Sequence, residues 1–344
     1  MKKVRVAING FGRIGRAFFR VAFERGDIEI VAINDLGDLA NLAYLLKYDS
    51  VYRTYNHDVS HNEKGLLVDG KHVASFAEKE PSALPWGELN IDVVVESTGF
   101  FTSYEGASAH IKAGAKKAVI TAPAKGEPLA DIASGTVLMG INEEALNTCI
   151  ITSNASCTTN AASPLIAILD ETIGIEKAIL NTVHGYTATQ ALVDSPAGKK
   201  GFREGRAAAA NIVPSSTGAA IAVTRAFPRL EGLFDGVAMR VPVIAGSIVD
   251  VTFIAKRDTS IEEVNQALKQ AAGEARWQKV FSVTEDELVS SDILGSRYAS
   301  VADLQFTRVV GGNLVKVLAW YDNEMGYTHA LIEHVVTAGN NLHE

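Results

Sequence analysis

One stretch of this chain is better suited to chemistry than any other: Ser153-Asn154-Ala155-Ser156-Cys157-Thr158-Thr159-Asn160, a cysteine set among small hydroxyl and amide side chains. Apolar residues 149–151 precede it and a helix-like run, 164–169, follows, so a strand, a polar turn and a helix meet at Cys157. A helix N-terminus carries free N–H groups and partial positive charge. A thiol placed there is expected to lose its proton more readily, and the thiolate is the nucleophile. The octapeptide alone fits a buried structural cysteine with Ser/Thr caps equally well. A second residue bears on that choice. Twenty-seven residues on, a strand-like run ends at His184, followed by Gly185-Tyr186-Thr187-Ala188-Thr189-Gln190. Imidazole titrates in the range a thiol's base requires.

Near the N-terminus stands Gly10-Phe11-Gly12-Arg13-Ile14-Gly15, a G-x-G-x-x-G string. It follows an apolar strand, residues 4–8, and opens a helical run, 13–25. Asp35 closes the next strand, 20 residues past Gly15. That context turns a weak motif into a dinucleotide fingerprint. Gly10 allows the tight turn, Gly12 admits a pyrophosphate to the backbone, and Gly15 lets helix and sheet pack closely. Asp35 should accept from a ribose 2′-OH and repel a 2′-phosphate, which favours NAD. Residues 96–99 and 121–123, each ending a strand, are further candidate cofactor walls. Thiolate chemistry beside NAD suggests aldehyde oxidation through a thioester. Thr158, residues 215–218 and Arg240 offer hydroxyl, backbone and guanidinium donors for phosphate oxygens. Residues 215–218 also read as the N-cap of a helix at 219–226. Arg240 lies in an apolar strand, where its charge calls for a partner such as a phosphate.

These residues need elements to hold them. The first half alternates short apolar strands (4–8, 29–33, 91–95, 118–122, 137–141, 149–152) with helical runs, and residues 66–76 carry an Asp69-Gly70 hairpin signal. The alternation predicts an α/β fold with a doubly wound, Rossmann-type parallel sheet. The second half has longer strand-like runs (178–184, 236–243, 247–255, 314–321) with a helix at 261–272. It predicts an α+β catalytic domain with a mainly antiparallel sheet. The poorly periodic stretch 188–211 is long enough to be functional or interfacial.

Composition agrees with an ordinary globular protein: 344 residues, 47% hydrophobic, 21% charged, formal net charge −8. The acidic balance argues against nucleic acid or a membrane surface as partner. Two cysteines, Cys149 and Cys157, imply no disulfide framework and suit a cytoplasmic setting. There is no secretory leader pattern or membrane-length apolar run, and no Cys/His spacing suits a metal.

The motifs together resemble phosphorylating glyceraldehyde-3-phosphate dehydrogenases. The resemblance is carried by residues 8–16, 153–160, 184–190, 216–220, 239–242 and 320–324, in the family's order across the whole chain. It implies an NAD-binding domain over residues 1–156, with a C-terminal helix, 324–344, packed back on it, and a catalytic domain over 157–323. It implies that Cys157 forms the thiohemiacetal and thioester and that His184 takes the thiol proton. Gly10, Gly12, Arg13, Ile14, Gly15, Asp35, Lys79, Thr121 and Asn323 would hold NAD. Ser156, Thr158, Thr217 and Gly218 would bind inorganic phosphate, and Thr187 and Arg240 the phosphate of an aldehyde substrate. A cytoplasmic homotetramer is implied, with a loop at 186–206 packed against a neighbouring subunit. The chain departs from the family pattern at Ala161, where many members carry a second cysteine, at Leu36-Gly37-Asp38, and at Val243-Ile244-Ala245-Gly246. Two other functions fit parts of the pattern: erythrose-4-phosphate oxidation, against which Tyr186–Gln190 argues, and a catalytically silent nucleotide sensor.

Overall fold

The computed structural model describes residues 2–197 and 201–342. Met1, residues 198–200 and residues 343–344 lie outside this set. The chain divides into two compact units, Met1–Ala155 with Leu331–Glu344, and Ser156–Ala330.

The first unit runs β1 (Val4–Asn9), α1 (Arg13–Phe23), β2 (Ile28–Asn34), α2 (Leu39–Lys47), β3 (Val59–Asn62), β4 (Gly65–Val68), β5 (Lys71–Phe76), β6 (Val93–Glu96), α3 (Tyr104–Lys112), β7 (Lys117–Ile120), β8 (Ser134–Thr136) and β9 (Ile151–Ser153). They form one nine-stranded sheet in the order β3-β4-β5-β2-β1-β6-β7-β9-β8. From β5 across to β8 every pairing is parallel. Only the β3-β4-β5 edge is antiparallel. β6 and β7 are buried at every position, which is why they read as continuous apolar runs rather than alternating ones. Chain order departs in opposite directions on the two sides of β1, and crevices at the carboxyl ends of strands open at such a switch point. The β4–β5 turn is made by Asp69 and Gly70, both at positive φ (49° and 75°), as a two-residue hairpin turn requires. The strand expected at 137–141 lies instead at Ser134–Thr136, and Leu138 carbonyl accepts turn bonds from Ile141 and Asn142 N–H.

The second unit begins with α4 (Cys157–Thr172) and continues with β10 (Ile175–Gly185), β11 (Val213–Ser216), α5 (Ala219–Ala226), β12 (Phe234–Val241), β13 (Ser247–Ala255), α6 (Ile261–Ala272), β14 (Phe281–Thr284), β15 (Ser300–Val310) and β16 (Leu314–Tyr321). The last helix, α7 (Met325–Asn340), starts here and ends in the first unit. The seven strands order as β11-β12-β10-β13-β16-β15-β14. β10–β12 and β14–β15 pair in parallel; the other four pairings are antiparallel. α4 is buried from Thr158 to Asp170 and packs on the sheet between α5 and α6. β15 has no counterpart in the sequence reading. Its pairing with β16 is interrupted between Asp303 and Arg308, so its side chains do not keep one alternation. Ile179, Val237, Phe306, Val310 and Leu314 stay exposed on this sheet. Among the described residues no helix is long and apolar enough to cross a membrane.

In the first unit α7 brings a buried histidine to the end of β9. His334 Nδ1 lies 3.2 Å from the Asn154 side-chain oxygen and Nε2 lies 2.7 Å from the Thr152 hydroxyl. Nδ1, facing an amide oxygen, carries a proton. Burial first, and Lys117 second, push its pKa down to about 3. The unfolded chain binds a proton there below about pH 6.5 and the folded chain does not, so this residue lowers stability as pH falls from about 6.5 toward 3. His334→Gln should lose part of that acid sensitivity. The drop in urea-unfolding free energy between pH 7 and pH 4.5 is expected to be smaller in the variant by about 1–2 kcal/mol.

Candidate active site

In the first unit, a cleft of about 530 Å³ is lined by Asn9, Gly10, Gly12, Asn34, Asp35, Leu36, Lys79, Ser97, Thr98 and four neighbours. Gly10 sits at φ 93°, and a Cβ there would lie 2.5 Å from Thr98 N. At Gly15 a Cβ would lie 2.1 Å from Gly10 carbonyl. Both glycines are thus demanded by the turn itself. Gly12 differs: its φ is −72°, and a Cβ would meet nothing within 4 Å. The space in front of Gly12 is what a pyrophosphate over this helix start needs, since the N–H groups of the first turn have no partner within the helix. Asp35 spans the cleft floor, its Oδ2 accepting from Phe11 N–H (2.7 Å) and its Oδ1 from Gly37 N–H (2.8 Å). A carboxylate has further lone pairs for a ribose hydroxyl. The departure Leu36-Gly37 thus places a backbone donor on Asp35 and an exposed leucine on the cleft wall. These residues fit NAD.

Other expected cofactor residues lie differently. Arg13 directs its guanidinium to Asp49 and over the Tyr52 ring. Arg13 and Ile14 belong to the first turn of α1. Thr121 is outside the lining, and its hydroxyl donates to Glu96 carbonyl (3.0 Å). Asn323 belongs to the second unit. Its Oδ1 accepts from Gly246 N–H (3.0 Å) and the Ser247 hydroxyl (3.1 Å), which orients the amide. The departure at 243–246 supplies Gly246 for this. Its φ is 87°, and a Cβ would lie 2.4 Å from Ser290 carbonyl.

The sequence reading did not find the polar network beneath the cleft. Trp86 indole N–H donates to His110 Nδ1 (3.1 Å), so His110 carries its proton on Nε2 and donates to Glu96 (2.9 Å). Asn9 also donates to Glu96 (2.6 Å), and Asn34 donates to Asn9 (2.7 Å) and to Glu78 carbonyl (2.9 Å). The buried carboxylate is thereby satisfied. The chain of bonds ties β1, β2 and β6 to the segment carrying Lys79. No local pattern signals it, because its members are scattered from residue 9 to residue 110.

The turn into α4 holds Ala155, the residue before the second unit, at φ 54°, an uncommon conformation for a residue with a Cβ. Ser156 is the N-cap, its Oγ accepting from Thr159 N–H at 3.1 Å. Cys157 Sγ lies 3.5 Å from His184 Nε2. Thr158 turns inward. Its hydroxyl meets Tyr321 Oη at 2.9 Å, and Tyr321 Oη meets the Thr182 hydroxyl at 2.8 Å. Thr158 can therefore offer an anion its backbone N–H, while its hydroxyl is engaged. Tyr321 also packs edge-on to the His184 ring and was not singled out from sequence. Ser215 and Ser216 belong to β11. Gly218 is the N-cap position of α5, and Thr217 Oγ1 accepts from Ala219 N–H (3.1 Å). Thr187 pairs with the Thr189 hydroxyl at 3.0 Å.

Arg240 lies beside His184 because β12 runs parallel to β10 with these two residues in register. Arg240 Nη1 is 2.6 Å from His184 Nδ1 and donates to Gly185 carbonyl at 3.3 Å; Nδ1 itself is 2.6 Å from that carbonyl. Burial, aided by Arg240, pushes the His184 pKa down to about 3. Burial also pushes the Cys157 thiol up, against the lowering effects of Arg240 and of donors at Thr158. The simple helix-terminus expectation of a lowered thiol pKa thus fails here, because desolvation outweighs the helix end. Burial thus works against charge on both partners.

A dinucleotide cradle in one unit and a cysteine–histidine pair with an arginine in the other fit a class, the NAD-linked oxidoreductases. Comparison with known proteins narrows it. The family model described as the NAD binding domain of glyceraldehyde 3-phosphate dehydrogenase matches residues 4–104, and the one described as its C-terminal domain matches residues 156–323. A glyceraldehyde-3-phosphate dehydrogenase of Streptomyces coelicolor is 47% identical over 342 residues, 98% of this chain and 99% of that protein. One from Geobacillus stearothermophilus is 46% identical over 332 residues, 96% of each chain. Glyceraldehyde-3-phosphate dehydrogenase 3 of Saccharomyces cerevisiae is 45% identical, covering 97% of this chain and 100% of its own. The chain belongs to the glyceraldehyde-3-phosphate dehydrogenase family.

The open space at Gly12 gives a clean test of the cradle. Gly12→Ala should leave the thermal midpoint unchanged, since its backbone angles suit alanine, and should weaken NAD binding by about tenfold or more. Calorimetric titration with NAD checks both halves of the expectation when paired with a melting curve.

Proposed function

We propose that this protein catalyses the reversible, NAD-dependent oxidative phosphorylation of glyceraldehyde 3-phosphate to 1,3-bisphosphoglycerate. The observation that carries the reading is the 3.5 Å approach of Cys157 Sγ to His184 Nε2 beside Arg240, within a chain of this family. Cys157 Sγ adds to the aldehyde carbon, and the thiol proton passes to His184 Nε2. That transfer needs the imidazole's own proton on Nδ1, facing Gly185 carbonyl. Bound NAD supplies the hydride acceptor that takes the adduct to a thioester. Gly10, Gly12, Arg13, Ile14, Gly15, Asp35, Lys79 and Thr121 would hold it, with Asn323 orienting its nicotinamide amide. Arg240 and Thr187 anchor the substrate's own phosphate. Ser156, the Thr158 backbone, Thr217 and Gly218 hold the inorganic phosphate that resolves the thioester. Ala161 carries no thiol, so Cys157 is the one cysteine of the motif that can react.

The protein works as a cytoplasmic homotetramer on this reading. Ile179, Val237, Phe306, Val310 and Leu314, exposed on the second sheet, support self-association, because an apolar sheet face in water is costly. Sedimentation equilibrium would show four copies; a monomer would refute this part alone.

NADH formation from glyceraldehyde 3-phosphate should require inorganic phosphate and should fall by at least about 10³-fold in Cys157→Ser. Equal rates with and without phosphate would point instead to hydrolysis of the thioester, as in erythrose-4-phosphate oxidation. A wild-type protein that binds NAD and reduces none of it with either aldehyde would identify a silent nucleotide sensor.

A further inference from the structure

Ser247, the first residue of β13, is 2% exposed and bonds in two directions. β13 lies between β10 and β16 and runs antiparallel to both, so its start meets the ends of the two strands that carry His184 and lead to Asn323. Ser247 Oγ accepts from Gly185 N–H at 3.2 Å and donates to Asn323 Oδ1 at 3.1 Å. The partners fix these directions. A backbone N–H can only donate, so the hydroxyl accepts from Gly185 and sends its own proton to Asn323. Gly185 N–H belongs to the peptide that follows His184. One hydroxyl therefore joins the strand end of the histidine to the amide of Asn323.

The same proton count decides which way the amide faces. Gly246 N–H lies 3.0 Å from Asn323 Oδ1. Were the amide turned over, Nδ2 would confront that N–H, donor against donor. Oδ1 thus has both lone pairs engaged, and Nδ2 has no partner among the described residues. Its protons, on a side chain only 6% exposed, call for an acceptor. The oxygen of a carboxamide is one. The main chain of Asn323 is held without Ser247. Asp322 Oδ1 accepts from Glu324 and Met325 N–H (2.8 and 2.9 Å), and Asp322 Oδ2 accepts from Gly295 N–H (2.8 Å). Loss of the Ser247 hydroxyl would therefore loosen the amide of Asn323 and leave its backbone in place.

On the reading of Asn323 as the residue that orients the nicotinamide amide, we infer that Ser247 is the positioning residue that holds Asn323 with its donors toward the cofactor. The hydroxyl does this from the atom that also holds the peptide after His184. The orientation of the hydride acceptor and the strand end of the base are thus set from one point, Ser247 Oγ.

The test is calorimetric titration of the full-length protein with NAD and, separately, with ADP-ribose, which lacks the nicotinamide. Ser247→Ala should weaken NAD binding by roughly three- to tenfold, the loss of one neutral hydrogen bond, and should leave ADP-ribose binding unchanged. Asn323→Ala should likewise weaken NAD alone. Adding Ser247→Ala to it should weaken NAD no further, because the hydroxyl then has no amide to hold. If Ser247→Ala does not fold, Ser247→Cys, which keeps the size and bonds poorly, takes its place with the same expectations. Where Asn323→Ala weakens NAD alone, three results overturn the inference and leave the reading of Asn323 standing: NAD binding unchanged in the Ser247 variant, equal losses for NAD and ADP-ribose in it, or losses that add in the double variant. If Asn323→Ala binds NAD as tightly as the wild type, the reading of Asn323 falls and the role of Ser247 with it.

Discussion

The second unit depends on a short chain of buried hydroxyls. Thr182 on β10, Tyr321 at the end of β16 and Thr158 in the first turn of α4 are joined through Tyr321 Oη by bonds of 2.8 and 2.9 Å. A buried hydroxyl without a partner costs about 1–3 kcal/mol, so each of the three elements is held where its hydroxyl is satisfied. This fixes the one distance that matters for chemistry, Sγ to Nε2. Cys157 precedes Thr158, and His184 lies two residues beyond Thr182 on the same face of its strand. Clamping the threonines therefore clamps the reactive pair.

The same burial that makes the clamp strong also sets the charge state of the site. Cys157 and His184 are packed against α4, β10 and β16, and desolvation opposes charge on either. Arg240 favours the thiolate and disfavours the imidazolium. The helix end and the guanidinium favour a thiolate, and burial works against it.

The first unit solves a parallel problem. The carboxyl ends of β1, β2 and β6 must stay open to receive a dinucleotide while their backbones stay in place. The Glu96 carboxylate, fully buried beneath them, accepts from Asn9, His110 and Thr98. That cluster holds the strand ends from below and leaves Gly12 and Asp35 free to face the cleft.

Much of this was legible from local pattern. The Gly10–Gly15 string, the parallel strands with continuous apolar runs, the Asp69-Gly70 hairpin and the Ser156 cap before Cys157 each follow from chemistry within a few residues. The strand β15 was not legible, because an interrupted pairing erases its alternation. Nor was the shift of the expected strand from 137–141 to Ser134–Thr136, where pairing with β9 rather than side-chain apolarity decides. Sequence by itself determined the residue types able to act, a cysteine at a helix start, a histidine at a strand end, an arginine in an apolar strand and an acid after a glycine turn. Only the tertiary structure decided their states. The parallel register that sets Arg240 on His184, the inward turn of Thr158 onto Tyr321 and the turning of Arg13 to Asp49 all join residues distant in the chain. Protonation and hydrogen bonding are set by which groups share a desolvated space, and that sharing exists only once the chain has folded.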